Sequence, residues 1–156
     1  MRVLIHRSRH HRKQYVGNAC GTIATIHCLG NCAKEMGISA ESKVGKFLAQ
    51  TAGKSDAEIG AALAEASDLH VASEGAAAGG QTDAPEAEAQ TDHHFICFVE
   101  KDGDCYELDG GKKFAINHGP TEGNLLLKST QVIKACFMDP QPDVIDFALM
   151  ALSKVD

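Results

Sequence analysis

The chain has 156 residues, of which 44% are hydrophobic, 23% charged and 5% aromatic, with no tryptophan. That length suits one domain, burying roughly 68–70% of the surface its unfolded form exposes, and no apolar run approaches a membrane span. The formal net charge is −6, but residues 1–13 hold five of the 15 basic residues and the first acid is Glu35, so an acidic body follows a basic start; this balance argues against a nucleic-acid partner.

Six cysteines without a secretory signal ahead of them read as reduced thiols of a cytoplasmic protein rather than a disulfide framework. The opening "MRVLIHRSRHHRK" reads as a solvated basic segment carrying His6, His10 and His11. An organelle-targeting peptide is the alternative, but the segment runs without a break into "QYVGNACGTIATIH", residues 14–27. From Cys20 to about Cys32 the pattern predicts a helix capped by Asn18. Ile23, Ala24, Ile26, Cys28 and Leu29 leave it almost no polar face, so a central, buried position is expected.

A second helix is expected over 42–52, with Val44, Phe47 and Leu48 on one side. Ser55 and Glu58 form a capping-box pattern, launching a helix whose apolar residues run through Ile59, Leu63 and Ala66 to Leu69. The stretch 72–92, rich in Gly, Ala and acids, reads as a long mobile loop. "HFICFVE" and "CYELDG" then flank Asp102-Gly103, a strong hairpin signal. The first of these strands is apolar on both faces, as in a sheet covered on each side. A helix over about 121–138 and a last buried strand, "VIDFALMAL", complete a mixed α and β chain.

A thiol in the first turn of a helix has its thiolate stabilised by unpaired backbone N–H groups and the positive end of the dipole. A cysteine nucleophile also needs a histidine as its proton partner. With Asp102-Gly103 as a two-residue turn, Lys101 pairs with Asp104, and His94 falls opposite Gly111. Asp109 is then a diagonal neighbour of His94 on the same face, with Cβ atoms about 7–8 Å apart. In that geometry Asp109 accepts from His94 Nδ1, leaving Nε2 to face the thiol of Cys20. His93 points the other way. Gln14 is a candidate oxyanion donor beside the Cys20 backbone N–H, a contact worth roughly 2.7–4 kcal/mol in the transition state.

Together, "QYVGNACGTIATIH", "EGAAAGGQTDAP" and "HHFICFVEKDGDCYELDGGKKFAINHG" resemble the ubiquitin carboxyl-terminal hydrolases. The likeness runs from about residue 13 to the C-terminus. It implies an α+β, papain-like cysteine protease fold whose mostly antiparallel sheet is flanked by helices. It also implies Cys20 as nucleophile, His94 as general base, Asp109 as its orienting acid and Gln14 as the oxyanion amide. The implied reaction removes small adducts from the C-terminal glycine of ubiquitin, with 72–92 crossing over the active site. Two departures stand out. Family members carry a sizeable segment, with an edge strand, before the Gln–Cys motif, where this chain has only residues 1–13, so the N-terminal part of the fold is expected to be missing. The crossover loop also carries an Ala/Gly insertion at about 76–79.

The expectation is therefore a basic segment, 1–13, followed by a catalytic domain, 14–156. That domain is expected to be monomeric, to need no cofactor or metal and to bind neither nucleic acid nor membrane; its partner is ubiquitin or a ubiquitin-like protein. A catalytically impaired, truncated relative that keeps the triad and acts as a ubiquitin-binding or inert remnant is one alternative. A zinc-stabilised interaction domain built on Cys28, Cys32 and the histidines is another, although those two cysteines have no second ligand pair and read as core. Cys97, Cys105 and Cys136 read as core too, and Tyr106 as core or support. His118 has no evident catalytic partner. "AGKS" (52–55) lacks the glycine and the preceding strand of a phosphate loop.

Overall fold

In a computed structural model, residues 2–8, 20–80 and 93–153 are described. The chain divides into two compact units, one formed by residues 1–31 with 90–156 and the other by residues 32–89.

The first unit is built on a five-stranded sheet. Its strands are β1 (Arg2–Ser8), β2 (His93–Lys101), β3 (Asp104–Leu108), β4 (Ile116–Pro120) and β5 (Phe147–Leu152), in the order β4-β3-β2-β1-β5. Every pairing is antiparallel. The β2–β3 register is the one expected from the turn, with Lys101 opposite Asp104 and Cys97 opposite Leu108. Asp102 and Gly103 have φ of 51° and 87°. Positive φ at both central residues is the type I′ geometry that matches strand twist, and Asp-Gly favours it.

The opening segment departs from expectation. Read as a solvated tail, Arg2–Ser8 instead pairs with β2 on one side, Val3 opposite Phe98 and Arg7 opposite His94, and with β5 on the other. The consecutive Val3, Leu4 and Ile5 favour a strand with neighbours on both sides, a signal that the surrounding charges obscured. His10 and His11 lie outside the described residues.

Strand β2 is buried on both faces. Ile96 and Phe98 join Cys105, Leu125, Val132, Ile133 and Phe137 in one cluster. Cys97 and Val99 join Ala24 and Cys28 in the other, against which Phe95, Tyr106, Leu108 and Leu152 pack. Two helices therefore cover the sheet, one on each side: α1 (Cys20–Cys32) and α5 (Leu125–Ile133). Helix α1 has the expected bounds, yet it is not enclosed. Ala24 and Cys28 are buried against the sheet, while Thr25 and Asn31 are exposed and Ile23, Ile26 and Leu29 are half-buried. One face of a helix suffices to cover a strand pair, so the apolar composition of α1 overstated its burial.

Helix α5 is capped by Asn124, whose side chain accepts from Leu127 N at 3.0 Å. It passes into a π-helical turn, Lys134–Met138, closed by Asp139 N donating to Lys134 O. The expected helix start near 121 is replaced by β4 and a turn with Gly123 at φ 77°. On the π turn Phe137 takes the core position and Cys136, expected in the core, is exposed. Strand β5, expected to be buried, leaves Leu149 and Met150 exposed, since as an edge strand it pairs only with β1 among the described strands.

The second unit holds α2 (Lys43–Thr51), α3 (Asp56–Glu65) and α4 (Ser67–Ala78). Ser42 caps α2. Gly45 is required there, because a Cβ would stand 2.2 Å from Ser39 O. The capping box of Ser55 and Glu58 forms as expected. The helix it launches does not run on to Leu69 but breaks at Ala66. Leu63 O accepts both Ala66 N and, at 2.9 Å, His70 Nε2, a side-chain bond that no local pattern announces. The expected loop at 72–92 is also corrected, since residues up to Ala78 belong to α4; residues 81–92 lie outside the described residues. No described helix is long and apolar enough to cross a membrane.

Candidate active site

Cys20 is the first residue of α1 and is half-buried. The backbone N–H groups of a helix's first turn lack intrahelical acceptors and bear the positive end of the dipole. A thiol placed there is favoured as thiolate.

Two contacts hold this turn against the sheet. A Cβ on Gly21 would lie 3.6 Å from the ring of Phe95, and a Cβ on Gly110 would lie 2.9 Å from Ile23 Cγ2. Gly21 follows Cys20, Phe95 follows His94, and Gly110 follows Asp109. The start of α1 therefore meets the chain next to both other candidate residues; at Gly110 the approach is too close for a Cβ, whereas at Gly21 a Cβ would make an ordinary contact.

His94 and Asp109 are buried, and His94 Nε2 stands 2.7 Å from Asp109 Oδ1. An ionised carboxylate only accepts, so Nε2 carries the proton and donates. The pairing agrees with the sequence expectation, but the ring nitrogen does not. The hairpin argument assigned Nδ1 to Asp109 and Nε2 to the thiol; here Nε2 engages Asp109. The reason is reach: Asp109 lies just beyond the end of β3, and a diagonal gap is bridged by the nitrogen farther from Cβ. Nδ1 is shielded from solvent.

Asp109 is itself held. Oδ1 also accepts from Gly111 N at 2.8 Å, while Asp109 O accepts from Lys112 N at 2.9 Å, closing the turn after β3. Gln14 and the expected cap Asn18 lie outside the described residues. His93 is in β2.

A neighbouring network was not foreseen. The carboxylate of Glu107, 2% exposed, pairs with Lys112 Nζ through Oε1 and with His118 Nε2 at 2.9 Å through Oε2. His118 thus gains the partner it lacked in the sequence. The available signal was parity: Cys105, Glu107 and Asp109 share one face of the β3 line, and a carboxylate at an inward position needs a cation. Tyr106 packs beside the α1 cluster, and its hydroxyl accepts from Asn117 Nδ2 at 3.1 Å.

Cys28, Cys97 and Cys105 are buried core residues, and Cys32 is buried as well. Among the described residues, no group of three or more His, Cys, Asp or Glu is arranged to hold a metal. Burial pushes the Cys105 thiol above its ordinary pKa, partly opposed by its contact with Ser129.

The profile described as "Ubiquitin carboxyl-terminal hydrolase, family 1" matches residues 6–138. Over 142 residues the chain is 39% identical to a "Probable ubiquitin carboxyl-terminal hydrolase" of Dictyostelium discoideum, covering 91% of this chain and 56% of that protein. It is 39% identical over 141 residues to the ubiquitin carboxyl-terminal hydrolase of Drosophila melanogaster (90% and 61% covered). Against human ubiquitin carboxyl-terminal hydrolase isozyme L1 the identity is 31% over 142 residues (91% and 62% covered). The chain thus spans 56–62% of the length of these relatives. The catalytic domain of Trichinella spiralis UCH37, crystallised bound to ubiquitin vinyl methyl ester, aligns with a TM-score of 0.72 at 18% identity, over 95% of this chain and 74% of that one. That likeness carries the α+β, papain-like fold. By its sequence match, the chain belongs to family 1 of the ubiquitin carboxyl-terminal hydrolases.

Proposed function

We propose that the protein is a thiol-dependent hydrolase that cleaves small adducts from the C-terminal glycine of ubiquitin, with residues 14–156 carrying its catalytic groups and strand β1 completing their sheet. The observation that carries this reading is the buried His94–Asp109 hydrogen bond, beside a helix that begins at Cys20. Family membership supplies the substrate class, and the Trichinella UCH37 structure was determined with a ubiquitin derivative bound.

The Cys20 thiolate attacks the carbonyl carbon of the terminal glycine, forming the S–C bond and placing the electron pair on oxygen. The Cys20 backbone N–H and the Gln14 amide receive that oxyanion. As the tetrahedral intermediate collapses, the bond to the leaving amine breaks and His94 delivers a proton to the amine nitrogen. Water then attacks the thioester carbonyl, His94 takes its proton, the C–S bond breaks with its electron pair returning to the Cys20 thiolate, and ubiquitin leaves with a free carboxylate. With Nε2 committed to Asp109, Nδ1 is the nitrogen assigned to the sulfur and to these transfers. Asp109 keeps the ring in the required tautomer and stabilises the imidazolium.

Incubation with ubiquitin bearing a C-terminal electrophile, followed by intact mass measurement, tests the assignment. Wild type is expected to gain one ubiquitin equivalent, Cys20→Ala none, and Asp109→Asn to react much more slowly. Labelling that persists in Cys20→Ala, or a cooperatively folded wild type that does not react, refutes it.

A further inference from the structure

We propose that Glu107, acting through Lys112, is a positioning residue for Asp109; this rests on the reading of His94 and Asp109 given above. Asp109 is not in the β3 ladder, which ends at Leu108. It occupies the turn that follows, so strand hydrogen bonds do not fix its carboxylate. Two backbone donors close that turn, Gly111 N to Oδ1 and Lys112 N to Asp109 O. The residue that closes it, Lys112, then reaches back along the strand to Glu107 Oε1.

The anchor at the other end is firm. Glu107 lies within β3, opposite Phe98 of β2, and its side chain is almost wholly buried. Its second oxygen meets His118 Nε2 from β4, and the His118 ring stands 6.0 Å from that of Phe98. The Lys112 ammonium lies 6.0 Å from the centre of the Phe137 ring, a cation–π distance. The strand, the buried carboxylate, the lysine and the turn therefore form a closed ring of contacts, with Asp109 inside it. A charge-assisted pair with its carboxylate buried and its ammonium about one-third exposed is still a geometric constraint, and here that constraint sets the position of the group that orients His94.

Lys112→Met retains the side-chain length over Phe137 and removes only the ammonium, and Lys112→Arg restores a cation. Glu107→Gln removes the carboxylate charge from the other end. Two readouts are taken on each full-length variant and on wild type. One is the 15N NMR signature of the His94 ring, which reports whether Nε2 carries the proton and needs no turnover. The other is the separate kcat and KM for hydrolysis of a fluorogenic amide on ubiquitin's C-terminus.

In Lys112→Met, the His94 ring is expected to lose its single Nε2–H signature. Its kcat should fall about 10- to 100-fold, the loss that about 1 Å of misplacement produces, with KM within about twofold. Glu107→Gln should shift both in the same direction, and Lys112→Arg should recover both. A folded Lys112→Met with the wild-type His94 signature overturns the proposal, as does a kcat loss that Lys112→Arg fails to recover. If Lys112→Met does not fold, Glu107→Gln decides by the same two measures. Absence of hydrolysis in wild type counts against the proposed reaction alone, because the NMR signature still decides whether Lys112 positions Asp109.

Discussion

Gly110 is a close joint between α1 and the turn that carries Asp109. An alanine there would set its Cβ 2.9 Å from Ile23 Cγ2 and 3.4 Å from Ile23 Cδ1, whereas carbon pairs are comfortable at about 3.5–4.0 Å. The near atom is a branch methyl on a helical β-branched residue, whose χ1 has one strongly preferred setting, so it cannot swing aside. Overpacking of this kind costs about 1–3 kcal/mol, against about 0.4–1 kcal/mol gained when an alanine replaces a glycine in an accessible conformation. The expected net loss for Gly110→Ala is therefore about 1 kcal/mol, within a range of about 0–2.6 kcal/mol. In an Ile23→Ala background the nearest atom left is the residue-23 Cβ at 3.7 Å, an ordinary contact. There Gly110→Ala should be neutral or slightly stabilising. Urea unfolding followed by far-UV circular dichroism on the four proteins of this cycle gives the coupling directly. Additivity of the two substitutions to within about 0.5 kcal/mol would refute the close approach. It would also detach α1 from the Asp109 turn.

Asn124→Ala removes the side-chain acceptor of Leu127 N at the start of α5 and is expected to cost about 0.5–2 kcal/mol, read as a lower thermal midpoint; Asn124→Asp should retain most of the stability. Burial raises the Cys105 pKa, so the folded protein holds that proton when the unfolded chain has released it. Stability contributed in this way is complete below the ordinary thiol pKa and is lost as pH rises through the raised folded value. The alkaline limb of a pH–stability profile should therefore be shallower in Cys105→Ala than in wild type, and identical limbs would contradict the assignment.

The local physics of particular residues was legible in order along the chain. Asp102-Gly103 dictated a two-residue turn, the turn dictated the register, and the register brought His94 and Asp109 to neighbouring strand ends on one face. The bounds of α1 and the box at Ser55 followed in the same way, since each depends on residues close together in the chain, whereas the cap at Ser42 stood inside the expected helix. What depends on contacts from far along the chain was not legible. The strand Arg2–Ser8 gains its place from β2 and β5, and α3 breaks where His70 reaches Leu63. The ring nitrogen that meets Asp109 is set by where the turn after β3 lands, not by spacing. Glu107 shows the division most clearly: sequence parity turns it inward, but only the packed structure supplies Lys112 and His118. A buried charge is tolerable only with partners in place, and which residues arrive there is a property of the assembled fold.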